Sequence, residues 1–292
     1  MTRLGHLATE TARQERAEID RLPTDELVRL MSEDDAAVPA AVARARGQIA
    51  RAVDAIAERL AHGGRLIYVG AGTAGRLGVL DASECGPTFN TDRVVGVIAG
   101  GPGAVSDATE SAEDDFDAPA RELPGITDRD AVVGISASGR TPYVLGAIEH
   151  AKRAGALTVG LACNEGSELS AVAHLPIEVV VGPEFIAGST RLKAGTAQKL
   201  VLNMLSTLTM VRLGKTYGNL MVDVRVTNAK LRDRATRIVE QVTGASPEDA
   251  AAALAQAGDE AKVAIVMLRR DVSADEARRR LERATLREAL GE

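Results

Sequence analysis

The chain has 292 residues, enough for one large α/β domain and a smaller appendage that fold without disulfide or metal staples. Its formal net charge of -6 argues against a general nucleic-acid surface, and aromatic residues at 2%, with no Trp, leave little material for base stacking. The two cysteines, Cys85 and Cys163, form no CxxC or Cys/His cluster, which argues against a structural zinc or a disulfide scaffold and fits a reducing cytoplasm.

The first stretch, MTRLGHLATETARQERAEID, mixes charges of both signs around no apolar core, so neither a signal peptide nor a membrane span is expected, and a cytoplasmic protein is. Val42, Ile49, Val53, Ile56 and Leu60 recur at steps of three and four residues or their sums, predicting an amphipathic helix over 38–60 that stops at Gly63-Gly64. A buried strand follows at 65–69, and further β-rich runs stand at 94–99, 131–135, 157–161 and 177–181. Most are separated by enough chain for a crossover helix, which predicts a parallel, doubly wound sheet. PYVLGAIEHAKRAG puts Pro142 in a helix's first turn and Gly155 at its stop, completing one βαβ unit. Residues 192–213 are apolar over much of a helix's circumference and are expected to lie buried against the sheet. Beyond about residue 219 strand patterns vanish, and Ser246-Pro247 and a capping box from Ser273 to Glu276 mark helix starts.

The predicted fold class is therefore α/β, a doubly wound parallel sheet sandwiched by helices, with a small all-helical C-terminal domain. The expected division is an N-terminal helical segment over 1–54, the sheet-bearing α/β domain over 55–218 and the helical domain over 219–292.

Two loops carry the functional signal. Gly70-Ala71-Gly72-Thr73-Ala74-Gly75-Arg76 joins a strand to a helix where open α/β sheets bind ligands, so its amides suit a phosphate, with Gly72 and Thr73 as candidates. Its spacing is not a full G-x-G-x-x-G, and by itself it is equally a tight turn. GISASGRTP repeats the arrangement after a second strand: Ser136, Ser138 and Thr141 offer hydroxyls, and Gly139 lets the backbone approach. The other reading of these residues is as caps and turn formers. Two such loops in one sheet point to a phosphorylated small molecule.

Glu84 follows Asp81 by about a helical turn, which lets it point from a short helix towards the ligand end of the sheet. Glu110, Glu113 and Asp114 would share a helical face, though such an acidic run is often simply solvated. Two carboxylates in different environments suit general acid and base work without a metal or cofactor. His6, His62, His150 and His174 are scattered and indicate neither a triad nor a metal site. Cys85 has no neighbouring His to activate it and reads as a packing residue.

The strings GAGTAGRLGVLDASECGPT, GISASGRTPYV, GSTRLKAGTAQKLVLNMLST and YGNLMVDV, with VIAGG and ESAED between them, closely resemble the N-acetylmuramic acid 6-phosphate etherase family, whose core is a sugar isomerase (SIS) domain. The likeness runs over nearly the whole chain, including a helical tail similar to that family's ubiquitin-associated-like domain. It implies cleavage of the D-lactyl ether at carbon 3 of the sugar to give N-acetylglucosamine 6-phosphate and D-lactate, by elimination and then addition of water, in cell-wall amino-sugar recycling. By the same resemblance Glu84 protonates the departing ether oxygen and Glu113 removes the proton at carbon 2. Opening of the sugar ring would acidify that carbon, and a protonated Glu84 would need burial or a nearby anion to raise its pKa. The chain departs from the family pattern at Ala74, usually Ser, and at Gly86, usually Pro. Alternatives are an aldose–ketose isomerase on the same fold and a non-catalytic sugar-phosphate-sensing regulator; the net charge and the lack of a helix-turn-helix pattern weigh against the latter. A homodimer is expected, with no nucleic-acid or membrane partner.

Overall fold

A computed structural model describes residues 7–107, 110–123 and 125–292, with Glu110 described by its backbone alone. The chain divides into two compact units, one comprising the chain up to Ser83 and Arg93–Ser206, the other Glu84–Asp92 and Thr207–Glu292.

In the first unit β1 (Leu66–Gly70), β2 (Val94–Ile98), β3 (Ala131–Ser136), β4 (Leu157–Ala162) and β5 (Leu175–Glu178) form one parallel sheet among the described residues, in the order β2-β1-β3-β4-β5. The chain leaves β1 for β2 on one side and returns to β3 on the other, so the topological switch falls between β1 and β3. The three inner strands are buried along their whole length, whereas β2 and β5 are part-exposed at the edges. This is why the inner strands read as unbroken apolar runs.

Helices cover both faces, and three of them position the site: α1 (Gly72–Phe89), α2 (Pro142–Arg153) and α3 (Lys193–Arg212). Ile67, Val69 and Val132 pack against Tyr143, Val144, Ala147 and Ile148 of α2. On the opposite face the Tyr68 hydroxyl donates to the Leu202 carbonyl of α3 at 3.4 Å, and Gly78 of α1 passes close to the Tyr68 ring. The helices come this near because the strands carry glycine where they cross. A Cβ at Gly96 would stand 2.6 Å from Val79 Cα, and one at Gly134 2.8 Å from Val144 Cγ1.

Three expectations shift. The helix foreseen over 38–60 is two, Val38–Arg44 and Arg46–Ala61, separated at Ala45, whose ψ of 2° is not helical. Nothing in the local residue types forces that break. The last strand runs over Leu175–Glu178 rather than 177–181; Pro176 is tolerated because an edge strand can forgo an N–H. The acidic run forms a short 3-10 turn, Glu110–Asp114, and the side chain of Glu110 lies outside the described residues.

The second unit contains a helical bundle of Ala229–Thr243, Pro247–Gln256, Ala261–Arg270, Ala274–Leu281 and Leu286–Leu290 around Ile238, Val239, Leu254, Ile265, Val266 and Leu286. Asn228, Ser246, Ser273 and Thr285 each cap a helix by accepting an amide three residues on. The reciprocal capping box is made at Thr285 and Glu288; the Glu276 carboxylate pairs instead with Arg279 and Arg280.

At the sheet's amino edge, buried Asp130 accepts the Arg65 amide at 2.8 Å, the Arg65 Nη2 at 2.9 Å and the Thr127 amide at 2.9 Å, tying the approach to β1 to that of β3. Burial opposes its ionisation, but the Arg65 and Thr127 hydrogen bonds outweigh that and hold its carboxyl below the usual carboxylate range. Asp130→Ala is expected to cost about 2–3 kcal/mol at neutral pH, measured by urea unfolding. Because the folded pKa is depressed, that stabilisation is complete above the unfolded value of about 3.9 and is lost as pH falls through the folded one. The gap between wild type and variant therefore narrows below about pH 4.

Candidate active site

Between β1 and α1 the connection is Ala71 alone. The Gly75 amide bonds back to the Ala71 carbonyl at 3.2 Å, and Gly72 opens the helix with φ +51°. A Cβ at Gly75 would lie 2.6 Å from Ile98 Cγ1 and 2.7 Å from the Gly70 carbonyl oxygen, so only glycine lets the helix start this close to the strands. The first-turn amides of α1 have no intrahelical partner and carry the helix's partial positive charge.

The loop after β3 is organised by its own hydroxyls. Ser136 Oγ, almost fully buried, accepts the Gly139 amide at 3.0 Å and lies 2.8 Å from Thr141 Oγ1 and 3.3 Å from Ser138 Oγ. The Arg140 amide donates to Ser138 Oγ at 3.3 Å. Gly139 itself has φ +70°, and a Cβ there would overlap that of Ser167. Ser and Thr thus shape the turn and still present hydroxyls at the start of α2.

The two loops line one cavity of about 350 Å³, at the low end of the range for small-molecule sites. Gly72, Thr73 and Ala74 face it from the first loop, Ser136, Ser138 and Thr141 from the second, and Glu113 borders it. Gly139 shapes the turn without lining the cavity. The site lies at the β1/β3 switch point, where doubly wound sheets bind ligands.

Glu84 is exposed on α1, in the second of the two units and on a helix much longer than the short one foreseen, and it is not among the residues that line the cavity. The sequence reading missed three polar lining residues, Glu10, Thr190 and Gln198. Glu10 is held in place by its neighbour: buried Thr9 accepts Asn164 Nδ2 at 3.1 Å through its hydroxyl and the Gly188 amide at 3.1 Å through its carbonyl. The Thr9-Glu10 pair was visible in the sequence, but its partners lie more than 150 residues away.

Among the described residues no group of His, Cys, Asp and Glu could hold a metal ion, and no helix is long and apolar enough to cross a membrane. Both thiols are buried, and burial, with Glu184 nearby, pushes Cys163 up to about 12, too high for a nucleophile at neutral pH.

Family profiles match the N-terminal SIS domain of glucokinase regulatory protein over residues 48–152, the SIS domain over 108–208, and the C-terminal lid domain of glucokinase regulatory protein over 218–263. The chain is 65% identical to N-acetylmuramic acid 6-phosphate etherase of Rubrobacter xylanophilus, over 99% of this chain and 98% of the relative. The chain belongs to the N-acetylmuramic acid 6-phosphate etherase family. The Streptomyces avermitilis etherase is 61% identical over 98% of this chain and 94% of its own. Among solved structures, a phosphoheptose isomerase from Francisella tularensis aligns with TM-score 0.50 at 19% identity, over 65% of this chain and 100% of that one. A protein of Escherichia coli, solved as a complex, aligns with TM-score 0.51 at 16% identity, over 68% and 97%. At such identities these two speak for the SIS fold of the etherase family and for nothing finer.

Gly139→Ala tests the architecture of the etherase loop. The left-handed φ and the overlap with Ser167 together should cost more than about 1 kcal/mol in chemical denaturation.

Proposed function

We propose that this chain cleaves the D-lactyl ether of N-acetylmuramic acid 6-phosphate, giving N-acetylglucosamine 6-phosphate and D-lactate, as a carbon–oxygen lyase of cell-wall amino-sugar recycling. The observation that carries the reading is 65% identity to a named etherase over essentially the whole chain. The cavity supports it. Hydroxyls of Ser136, Ser138 and Thr141 and the amides opening α1 and α2 can hold a phosphate at helix N-termini, with Gly72 and Thr73 approaching from the first loop and Gly139 setting the turn. Anchoring the phosphate holds the reacting carbons at a fixed distance from it, which serves orientation.

In the open-chain sugar the carbon 1 aldehyde acidifies carbon 2. Glu113 takes that proton, the carbon 3–oxygen bond breaks, and Glu84 gives its proton to the departing lactate oxygen. Water then adds to carbon 3 of the unsaturated aldehyde while carbon 2 regains a proton, so one water is consumed overall. Glu113 borders the cavity, which favours the base assignment. The role of Glu84 rests on its place in the DASEC string. We propose a cytoplasmic homodimer; α3 exposes Met204, Leu208 and Val211 at helical spacing, a stripe a second copy would cover.

Purified protein incubated with N-acetylmuramic acid 6-phosphate should release D-lactate. In isotopically labelled water the sugar product should gain solvent oxygen at carbon 3 and solvent hydrogen at carbon 2, and the lactate neither. Turnover of hexose phosphates without lactate release would favour an isomerase.

Glu84→Gln and Glu113→Gln should each lower kcat at least about 100-fold with little change in sugar-phosphate affinity by calorimetry. Retained activity in either removes that residue from its role. Mixing the two variants reports where the pair comes from: recovery of about one quarter of wild-type activity marks a site shared between copies, and none marks a site within one chain.

A further inference from the structure

Gln198 is the most deeply buried polar side chain bordering the cavity, at 1% exposure, and its Nε2 is buried without a hydrogen-bond partner. Such donors are rare in folded proteins, because the hydration lost on burial is recovered only when an acceptor replaces it. Gln198 is not placed by accident of a mobile segment. It lies in the second turn of α3, whose opening amides at Lys193 and Ala194 are each accepted at 2.9 Å by the buried Glu184 carboxylate. One turn earlier, Gly195 brings α3 to within contact of Thr73, where a Cβ would lie 3.5 Å from the threonine methyl. The helix is thus fixed against the first loop, and a residue that lines the cavity carries an unsatisfied donor enclosed in the wall.

We infer that Gln198 is a substrate-contacting residue whose Nε2 donates to an oxygen of the open-chain sugar. This rests on the etherase reading above. The acceptor is a sugar oxygen rather than a phosphate oxygen for two reasons. Three clustered hydroxyls and two helix N-termini are already available to a phosphate. A single neutral amide deep in the wall suits a carbonyl or hydroxyl oxygen, whose desolvation it can match without an unpaired charge. A buried donor that a ligand oxygen would satisfy makes the cavity discriminate against ligands that lack the matching oxygen.

The test is Gln198→Met, which keeps an unbranched side chain of similar length and removes the donor. Since no protein group loses a partner, its Tm should equal or exceed that of wild type. Its kcat/KM for N-acetylmuramic acid 6-phosphate should fall at least about tenfold. Its inhibition constant for inorganic phosphate should stay within about twofold, because the phosphate cradle is untouched. Gln198→Glu, which keeps the shape but replaces the donor with an acceptor, should lose activity at least as far. A lowered Tm in Gln198→Met would mean the amide serves the protein itself and would overturn the inference. So would a wild-type kcat/KM, or a phosphate inhibition constant that weakens in step with it. These outcomes are read against wild type releasing D-lactate. If wild type releases none, the etherase reading fails first and the inference falls with it.

Discussion

A Cβ on Gly70 would stand 2.7 Å from the amide nitrogen of Gly75, a distance no side chain tolerates. The last residue of β1 and the first turn of α1 therefore meet backbone to backbone, and everything at the ligand end of the sheet depends on that approach. It shortens the connection to one residue and sets the unpaired amides of α1 at the edge of the cavity. The same device recurs where Gly134 admits Val144 of α2 and where Gly139 clears Ser167. Removing side chains at these crossings gives up apolar burial, and the gain is a pair of helix N-termini converging on one point.

Around that point the molecule balances satisfied and unsatisfied polar groups. Ser136, Ser138 and Thr141 complete a turn among themselves, while Asp130, at the opposite edge of the sheet, collects donors from Arg65 and Thr127. The orphaned Gln198 amide stands apart from this accounting.

Family membership and the cavity carry different weights. Identity of 65% over the full chain speaks to the reaction, while the cavity speaks to where a sugar phosphate can be held. Ala74 is one of the cavity's own lining residues and brings no hydroxyl to it.

Features governed by local chemistry were legible in the residues alone. Apolar runs marked the inner strands, Pro142 and Gly155 bounded α2, and capping residues placed the C-terminal helix starts, because each signal acts within a few residues of its effect. Glycine and hydroxyl spacing likewise marked both loops, since a strand-to-helix turn has few solutions. Features that depend on distant partners emerged only in the folded chain. The edge position that accommodates Pro176 depends on the order of strands in the sheet, and the break at Ala45 shows only in the fold. So does the arrival of Glu10 and Gln198 at a cavity built from residues far from either in the chain. Where Glu84 lies was likewise settled by the length of α1, because a helix's end is fixed by what it packs against as much as by its own residues.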